Sequence, residues 1–180
     1  DKVAIITGAG QSEADGMGNG RATALSFARQ GAKLMLANRS SPSMDETARQ
    51  VRAEGFAVES MLADITNEDD CRQLMAATTQ AFGRIDILHN NVGAGTVEGD
   101  TADIDLAAWR QCLEMNLTGP MLLSKHVLPI MRAQQSGCIT HTSSVASVAS
   151  LPLIAYKAAK SALNEFCRWL AYENGPHGIR

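Results

Sequence analysis

Short apolar runs alternate with longer amphipathic segments along this chain, and that alternation restricts the folds open to it. The apolar runs predict β-strands over residues 2–7, 33–38, 57–62, 86–90 and 138–142. Apolar residues at helical spacing predict helices over residues 21–30, 44–54, 67–82, 106–132 (with a bend near Pro129) and 154–174. Gly31 and Gly55 follow the first two helices as natural stops. Because parallel neighbouring strands need a crossover connection, this order predicts an α/β fold with a parallel sheet and helices on both faces.

The composition is that of an ordinary globular protein with enough chain for one sizeable core. Of its 180 residues, 45% are hydrophobic and 19% are charged, which predicts a single domain over residues 1–180. The formal net charge is -3 and the sequence contains no basic run, so a nucleic-acid partner is not expected. No stretch reaches the ~20 apolar residues that a membrane-spanning helix needs, so no membrane partner is expected either.

The four cysteines are widely spaced along the chain, at Cys71, Cys112, Cys138 and Cys167. They form no CxxC motif, and the histidines show no metal-ligand spacing with them or with one another. The sequence therefore predicts reduced, mostly buried thiols, a cytoplasmic protein and no metal site.

A glycine-rich stretch, TGAGQSEADGMGNGRA, joins the first predicted strand to the first helix. Glycines at this junction let the backbone turn tightly and approach a pyrophosphate, whose charge the helix N-terminus stabilises. The alternative is a flexible surface loop. The strand before it and the helix after it favour a phosphate site at Gly8, Gly10, Gly16, Gly18 and Gly20.

Polar residues also follow the other strands, at the edge of the sheet where ligands of such folds bind. Asp64 follows the third strand and can accept a hydrogen bond from an adenine amino group, or it is an ordinary turn residue. Asn90 and Asn91 offer amide groups after the fourth strand, and Gly93 allows close backbone approach. Asn116 lies in the middle of a helical region, where it is either a solvated amide or a group that holds a water or a lysine beside a cleft.

The stretch from residue 137 to residue 160 carries the groups best suited to proton transfer. Tyr156 and Lys160 are four residues apart, so on a helix they share one face. A nearby ammonium favours the phenolate and makes the phenol a better acid, while a serine hydroxyl from Ser143 or Ser144 can bond the oxygen being protonated. The alternative is a helix start with an ordinary exposed lysine. His141 is interpreted as a strand residue, with a substrate contact as the minority alternative.

Taken together, TGAG with GNGRATA, Asp64, NNVG, Asn116, SSVAS and YKAAK resemble the short-chain dehydrogenase/reductase family in order and spacing. The resemblance implies a Rossmann-type, doubly wound, three-layer α/β/α fold and reversible hydride transfer between a nicotinamide and a carbonyl or secondary alcohol. Carried over position by position, it implies catalytic roles for Asn116, Ser144, Tyr156 and Lys160, with Ser144 preferred to Ser143. Cofactor contacts are implied at Gly8, Gly10, Gly18, Gly20, Asn38, Arg39, Asp64, Ile65, Asn91, Gly93, Tyr156 and Lys160.

The chain departs from the family pattern in two places. Residues 11–17, which include Glu13 and Asp15, form an apparent insertion in the glycine-rich turn. We expect this insertion to bulge outward and to leave Gly20 and Arg21 at the helix start. The sequence ends at HGIR, where the family continues into further strands and a substrate-covering segment, so we expect an incomplete family member with its fifth strand at the sheet edge.

Asn38 and Arg39 bear on the choice of cofactor. NAD-preferring relatives commonly place an aspartate at the end of the second strand, whereas here a neutral Asn38 precedes a guanidinium, so NADP(H) is favoured over NAD(H). The resemblance also implies a small-molecule carbonyl or alcohol substrate and a homo-oligomer (dimer or tetramer) built through the two long helices. We expect the substrate pocket to be shaped mostly by loops such as residues 94–105 and 148–153 and by the substrate-covering segment of the family. The alternatives are a non-catalytic nucleotide-binding subunit and an NAD(P)-dependent epimerase or dehydratase.

Overall fold

The computed structural model describes residues 2–10, 16–95 and 100–180 of the chain. Five parallel strands form a sheet in the order β3-β2-β1-β4-β5. The strands are β1 (Val3–Thr7), β2 (Lys33–Asn38), β3 (Val58–Leu62), β4 (Ile87–Asn90) and β5 (Cys138–His141). The helices are α1 (Asn19–Arg29), α2 (Pro42–Ala53), α3 (Glu68–Phe82), α4 (Leu106–Leu113), α5 (Gly119–Gln134) and α6 (Ile154–Asn174).

The central strands β1 and β2 are buried on both faces, as expected of a parallel sheet covered by crossover helices. All five residues of β1 are buried, and successive side chains point to opposite faces. Ile5 packs into a core with α3 and α5, whereas Ala4 and Ile6 pack into a second core with α1 and α2. The predicted fold class, a doubly wound parallel sheet with helices on both faces, is confirmed.

Helix ends follow local chemistry. The side chain of Asn67 accepts hydrogen bonds from the backbone N–H groups of Asp69 and Asp70 at the start of α3, so the predicted start at residue 67 is the N-cap. The predicted stops Gly31 and Gly55 have φ of +86° and +85°, a left-handed conformation that favours glycine. For α1, the helix begins at Asn19, two residues before the predicted start. Residues 11–15 of the apparent insertion lie outside the described residues.

The predicted long helical region over residues 106–132 is helical throughout, but it is divided in its middle by a turn of a different kind. Helix α4 ends at Leu113, a π-helical turn covers Glu114–Thr118, and α5 runs on to Gln134 with Pro129 inside it. π-helical turns inside helices are rare and frequently lie at functional sites. The turn contains Asn116, the residue singled out as awkward in a helix.

The last strand of the sheet, β5, has further backbone contacts on its outer side. Gly137 and Ile179 form an isolated parallel bridge. The N–H of Ile139 donates to the carbonyl of Arg180 at 2.8 Å, and the N–H of Arg180 donates to the carbonyl of Gly137 at 3.2 Å. The last residues of this sequence therefore begin to pair alongside β5. Within the described ranges, no helix is both long and apolar enough to cross a membrane.

Candidate active site

A cavity of about 590 Å³ opens at the carboxyl ends of the strands, where the topology of an open α/β sheet places ligands. Every residue for which the family resemblance implies a cofactor contact lines it: Gly8, Gly10, Gly18, Gly20, Asn38, Arg39, Asp64, Ile65, Asn91, Gly93, Tyr156 and Lys160. Gly16, the remaining glycine of the glycine-rich stretch, is not among the lining residues. The lining also includes residues that sequence reasoning did not single out, among them Asn19, Ser40, Ser43, Thr66, Val92, Met115 and Thr142.

The start of α1 passes so close to the end of β1 that only glycine fits. A Cβ placed on Gly20 would lie 2.8 Å from the carbonyl carbon of Gly8 and 3.0 Å from Cα of Ala9, and closer still to the oxygen of Gly8. The first residues of α1 and the residue before them, Gly18, Asn19 and Gly20, line the cavity, and the N–H groups of a first helical turn have no partner within the helix. This arrangement fits a dinucleotide pyrophosphate, whose charge the helix N-terminus stabilises.

The end of the cavity away from Tyr156 and Lys160 is formed by the end of β2 and the start of α2. We call it the far end. A Cβ on Gly10 would overlap Ser43 Oγ and lie 2.8 Å from Asn38 Nδ2. Arg39 and Ser40 line the same end. The cavity wall here offers a neutral amide, two hydroxyls and a guanidinium, a set that can bind the hydroxyls or a phosphate of an adenosine ribose.

The carboxylate of Asp64 shapes a turn and also lines the cavity. Its Oδ1 accepts hydrogen bonds from the backbone N–H of Thr66 at 2.9 Å and from the hydroxyl of Thr66 at 2.8 Å. Burial acts to raise the pKa of this carboxyl, but the bonds from Thr66 and the charge of Arg39 outweigh burial and lower it. Asp64 is thus ionised, and the turn role does not exclude the adenine contact.

The two asparagines after β4 have different positions. Asn91 lines the cavity and donates through Nδ2 to the carbonyl of Gly8 at 3.1 Å, which ties β4 to the glycine-rich turn. Asn90 is buried, and its Nδ2 lies 3.1 Å from Nδ1 of His141. Burial, helped by Lys160 and His89, lowers the pKa of His141 to about 4, so its ring is neutral near pH 7. His141 is a strand residue, as predicted, and ends β5 one residue before the predicted end at Thr142.

The amide of Asn116 is held by its nitrogen, and the residue is fully buried and is not among those that line the cavity. Nδ2 donates to the carbonyl of Ala94 at 2.9 Å and to the carbonyl of Cys112 at 3.0 Å. Oδ1 is buried and receives no hydrogen bond from the described residues. A Cβ on Gly93 would lie 2.9 Å from this oxygen and 3.0 Å from Lys160 Nζ, so both groups border the same space. A buried acceptor of this kind is suited to hold a water.

Lys160 is almost completely buried, with 2% of its surface exposed. Its Nζ donates to the carbonyl of Thr142 at 2.8 Å and lies 5.6 Å from the centre of the Tyr156 ring. Burial lowers the pKa of this ammonium, and the nearby Cys112 opposes that effect. The interpretation of Lys160 as an ordinary exposed lysine is therefore wrong: the ammonium faces the cavity beside Tyr156.

The two serines of the SSVAS motif play different structural parts. Ser143 lines the cavity and donates to Asn164 Oδ1 at 2.7 Å. Ser144, the preferred catalytic serine, is not among the lining residues; its Oγ accepts from the backbone N–H of Ala146 at 3.1 Å. That bond uses an oxygen lone pair, and the hydroxyl proton of Ser144 remains a donor. Among the described residues, no three His, Cys, Asp or Glu side chains cluster as metal ligands.

Comparison with known proteins identifies the family. The model of the short chain dehydrogenase family matches residues 2–180. The chain belongs to the short chain dehydrogenase family. The family and the fold implied by the sequence motifs are both confirmed, and the relatives in this family are oxidoreductases by name.

Among curated relatives, the chain is 33% identical over 181 residues to cis-4-hydroxycyclohexanecarboxylate dehydrogenase of Sinomonas cyclohexanicum, covering 100% of this chain and 70% of that enzyme. It is 36% identical over 183 residues to levodione reductase of Leifsonia aquatica, covering 100% of this chain and 66% of that enzyme. The crystal structure of an NAD⁺-bound xylitol dehydrogenase superposes with a TM-score of 0.92 at 30% identity, over 99% of this chain and 67% of that one. The chain thus spans about two thirds of the length of these relatives.

Proposed function

We propose that this protein transfers a hydride between a nicotinamide cofactor and a carbonyl or secondary alcohol, with Tyr156 as the acid/base. The observation that carries the proposal is the buried ammonium of Lys160 beside Tyr156 at the cavity wall. Next to Lys160 Nζ lies the buried amide oxygen of Asn116, which has no donor among the described residues. Dehydrogenases and reductases among the relatives support it.

The proposed mechanism follows from the charge that develops on the substrate oxygen. When bound, the nicotinamide supplies or accepts the hydride. During reduction the phenol of Tyr156 donates its proton to the carbonyl oxygen, and the hydroxyl of Ser144 or Ser143 bonds that oxygen as it becomes negative. Lys160 stabilises the resulting phenolate, and a water held by Asn116 Oδ1 returns a proton to it. In the oxidation direction the same groups act in reverse.

The test is Tyr156→Phe in a continuous assay of nicotinamide absorbance against a panel of ketones and alcohols. The variant removes one hydroxyl and little volume, so we expect turnover to fall by about 10²- to 10⁴-fold with nearly unchanged cofactor affinity. Tyr172→Phe is the matched control for loss of a phenolic hydroxyl, because Tyr172 is 78% exposed on α6, away from the cavity, and the change keeps the aromatic ring. Near-parental turnover in Tyr156→Phe would show that another group is the acid.

The same assay separates the two alternative functions. A non-catalytic nucleotide-binding subunit would bind the cofactor and show no turnover with any substrate in the panel. An epimerase or dehydratase would convert its substrate without net change in nicotinamide absorbance, because its cofactor is reduced and reoxidised within each cycle. The buried Lys160 beside Tyr156 favours the dehydrogenase or reductase over a subunit that only binds nucleotide.

We further propose that the protein prefers NADP(H) to NAD(H). The support is the chemistry at the far end of the cavity, where Asn38 carries no charge and Arg39 offers a guanidinium to a 2'-phosphate. Ser40 and Ser43 line the same end and offer hydroxyl donors. Titration of each cofactor by fluorescence tests the preference, and tighter binding of NADH than of NADPH would overturn it.

A homo-oligomer and a cytoplasmic location complete the proposal. Trp169 and Tyr172 are exposed on α6, with ring centres 5.6 Å apart, and form an aromatic surface suited to a second copy of the chain. Light scattering that gives the mass of one chain would contradict a dimer or tetramer. Four cysteines without a disulfide support a reducing compartment.

A further inference from the structure

The segment after β5 has little apolar packing to hold it in place. It contains both serines and a 3₁₀ turn over Val145–Ser147. Val145 is 68% exposed and Val148 is 81% exposed, whereas Ala146 is buried. Because so few apolar groups are covered here, polar contacts must fix the conformation of this turn.

Two side chains of α6 supply those contacts. Lys157 Nζ donates to the carbonyl of Ala149 at 2.7 Å and to the carbonyl of Ala146 at 3.4 Å. The hydroxyl of Ser161 donates to the carbonyl of Ser147 at 2.9 Å. The carbonyls of Ala146 and Ser147 belong to the end of a short helical turn, where such groups have no partner within the turn itself. The carbonyl of Ala149 follows the turn and also accepts from the N–H of Leu151 at 3.1 Å.

The periodicity of α6 explains why these groups face the turn. Lys157 and Ser161 are four residues apart and share one helix face. Tyr156 and Lys160 occupy the adjacent face, one residue earlier, and line the cavity. The bonds from Lys157 are charge-assisted, and such bonds are roughly twice as strong as neutral ones, so Lys157 is the principal tether of the turn.

The 3₁₀ turn also fixes the hydroxyl of Ser144. Its Oγ accepts from the N–H of Ala146, and the carbonyl of Ser144 accepts from the hydroxyl of Ser147 at 2.7 Å. Both bonds depend on the turn that Lys157 and Ser161 hold. A change in the turn therefore reorients Ser144 Oγ relative to Tyr156.

We infer that Lys157 is a positioning residue: it orients the Ser144 hydroxyl for the substrate oxygen by clamping the turn over Val145–Ser147. This inference rests on the proposed function and on Ser144 as the substrate-orienting serine. Lys157 does not touch the substrate, because its Nζ is directed at the backbone carbonyls of the turn.

The test begins with Lys157→Met, which keeps the length of the side chain and removes the donor. With saturating cofactor, we expect kcat to fall about 10- to 100-fold, as a misplacement of about 1 Å can cause, and the Kd for NADPH to stay within twofold of the parent. Lys157→Arg keeps a charged donor and should recover most of kcat. Lys125→Met is the matched control, since Lys125 pairs with Glu68 on the exposed face of α5. Parental kcat in Lys157→Met would overturn the inference.

A double-mutant cycle identifies the group through which Lys157 acts. In a Ser144→Ala background, Lys157→Met should lower kcat by less than threefold, because the hydroxyl it positions is already gone. An undiminished effect in that background overturns the assignment to Ser144. The same cycle with Ser143→Ala should show the full effect of Lys157→Met, and loss of the effect there would transfer the role to Ser143 and equally overturn the inference.

A readout without turnover separates this inference from the proposed function. The N–H groups of Ser147, Val148 and Ala149 bond to carbonyls within the turn. In Lys157→Met their hydrogen exchange should accelerate, while exchange in β1 stays unchanged. Unchanged exchange in the turn would overturn the clamp whatever the activity. If the parent shows no turnover with any substrate, the proposed function fails, and the exchange result still decides whether Lys157 holds the turn.

Discussion

Gly20→Ala tests the cofactor site through one added methyl group. The new Cβ would lie 2.8 Å from the carbonyl carbon of Gly8, whereas carbon atoms pack at about 3.5–4.0 Å. The first turn of α1 must therefore move away from β1 by at least about 0.7 Å, and by more to clear the oxygen of Gly8, because the atoms on the other side are backbone and cannot rotate aside. A helix N–H that loses its bond to a charged phosphate forfeits about 1.5–3 kcal/mol, so we expect the Kd for NADPH to rise about 10- to 100-fold.

The measurement is a fluorescence titration of NADPH, combined with thermal unfolding of the protein without cofactor. Overpacking of this kind costs about 1–3 kcal/mol of unfolding free energy, and each kcal/mol lowers Tm by about 2–4 °C in a chain of this size. Gly175→Ala is the matched control, because no atom lies within 4 Å of its Cβ position and its φ of -52° suits alanine. If a folded Gly20→Ala protein bound NADPH within twofold of the parent, the close approach of α1 would not be part of the phosphate site.

Two further predictions concern stability and cofactor choice. Burial acts to raise the pKa of the Asp86 carboxyl, but bonds from Arg84 and Lys2 lower it from 3.8 to about 2. Asp86→Asn should therefore reduce the free energy of unfolding by about 2 kcal/mol at pH 7, and this loss should shrink as pH falls from about 4 to about 2. Urea unfolding measures the difference. As the control, Glu165→Gln at an exposed position should change the free energy of unfolding by less than about 0.5 kcal/mol. Asn38→Asp places a carboxylate beside the predicted 2'-phosphate position, so it should weaken NADPH binding at least tenfold and leave NADH binding equal or tighter; unchanged NADPH affinity would mean that Asn38 does not face the adenosine ribose.

Most strands and helices could be predicted from the sequence because the spacing of apolar residues within each segment indicates its secondary structure. The run VAIIT reads as a strand buried on both faces, and β1 is buried at all five positions. The π-helical turn over Glu114–Thr118 was missed, because periodicity detects the apolar face of a helix and is insensitive to a single turn of altered bonding. Asn116 was the available signal: its side-chain amide bonds the carbonyl of Cys112 four residues earlier, a backbone acceptor that a regular helix would pair with an N–H.

Part of the candidate site was predictable because the carboxyl ends of parallel strands lie at the same edge of the sheet. That rule brought Gly8, Asn38, Asp64 and Asn91 together around one cavity without knowledge of any side-chain contact. The relative positions of Ser143 and Ser144 were not predictable in this way. Adjacent residues in a turn point in directions that depend on its backbone, and the sequence does not show that Lys157 and Ser161 hold the turn.

Two buried polar groups of the site lower the stability of the fold, and they favour an enzyme over a subunit that only binds nucleotide. Lys160 carries an ammonium that is 2% exposed and has a lowered pKa, and Asn116 keeps a buried oxygen with no donor among the described residues. An unsatisfied buried polar group alone costs about 1–3 kcal/mol. A fold that only binds nucleotide could satisfy its phosphate and ribose contacts at Gly20 and Asn38 without either feature. Under the proposed mechanism both groups have a use, because the Lys160 ammonium would stabilise the Tyr156 phenolate and the Asn116 oxygen would hold the water that returns its proton.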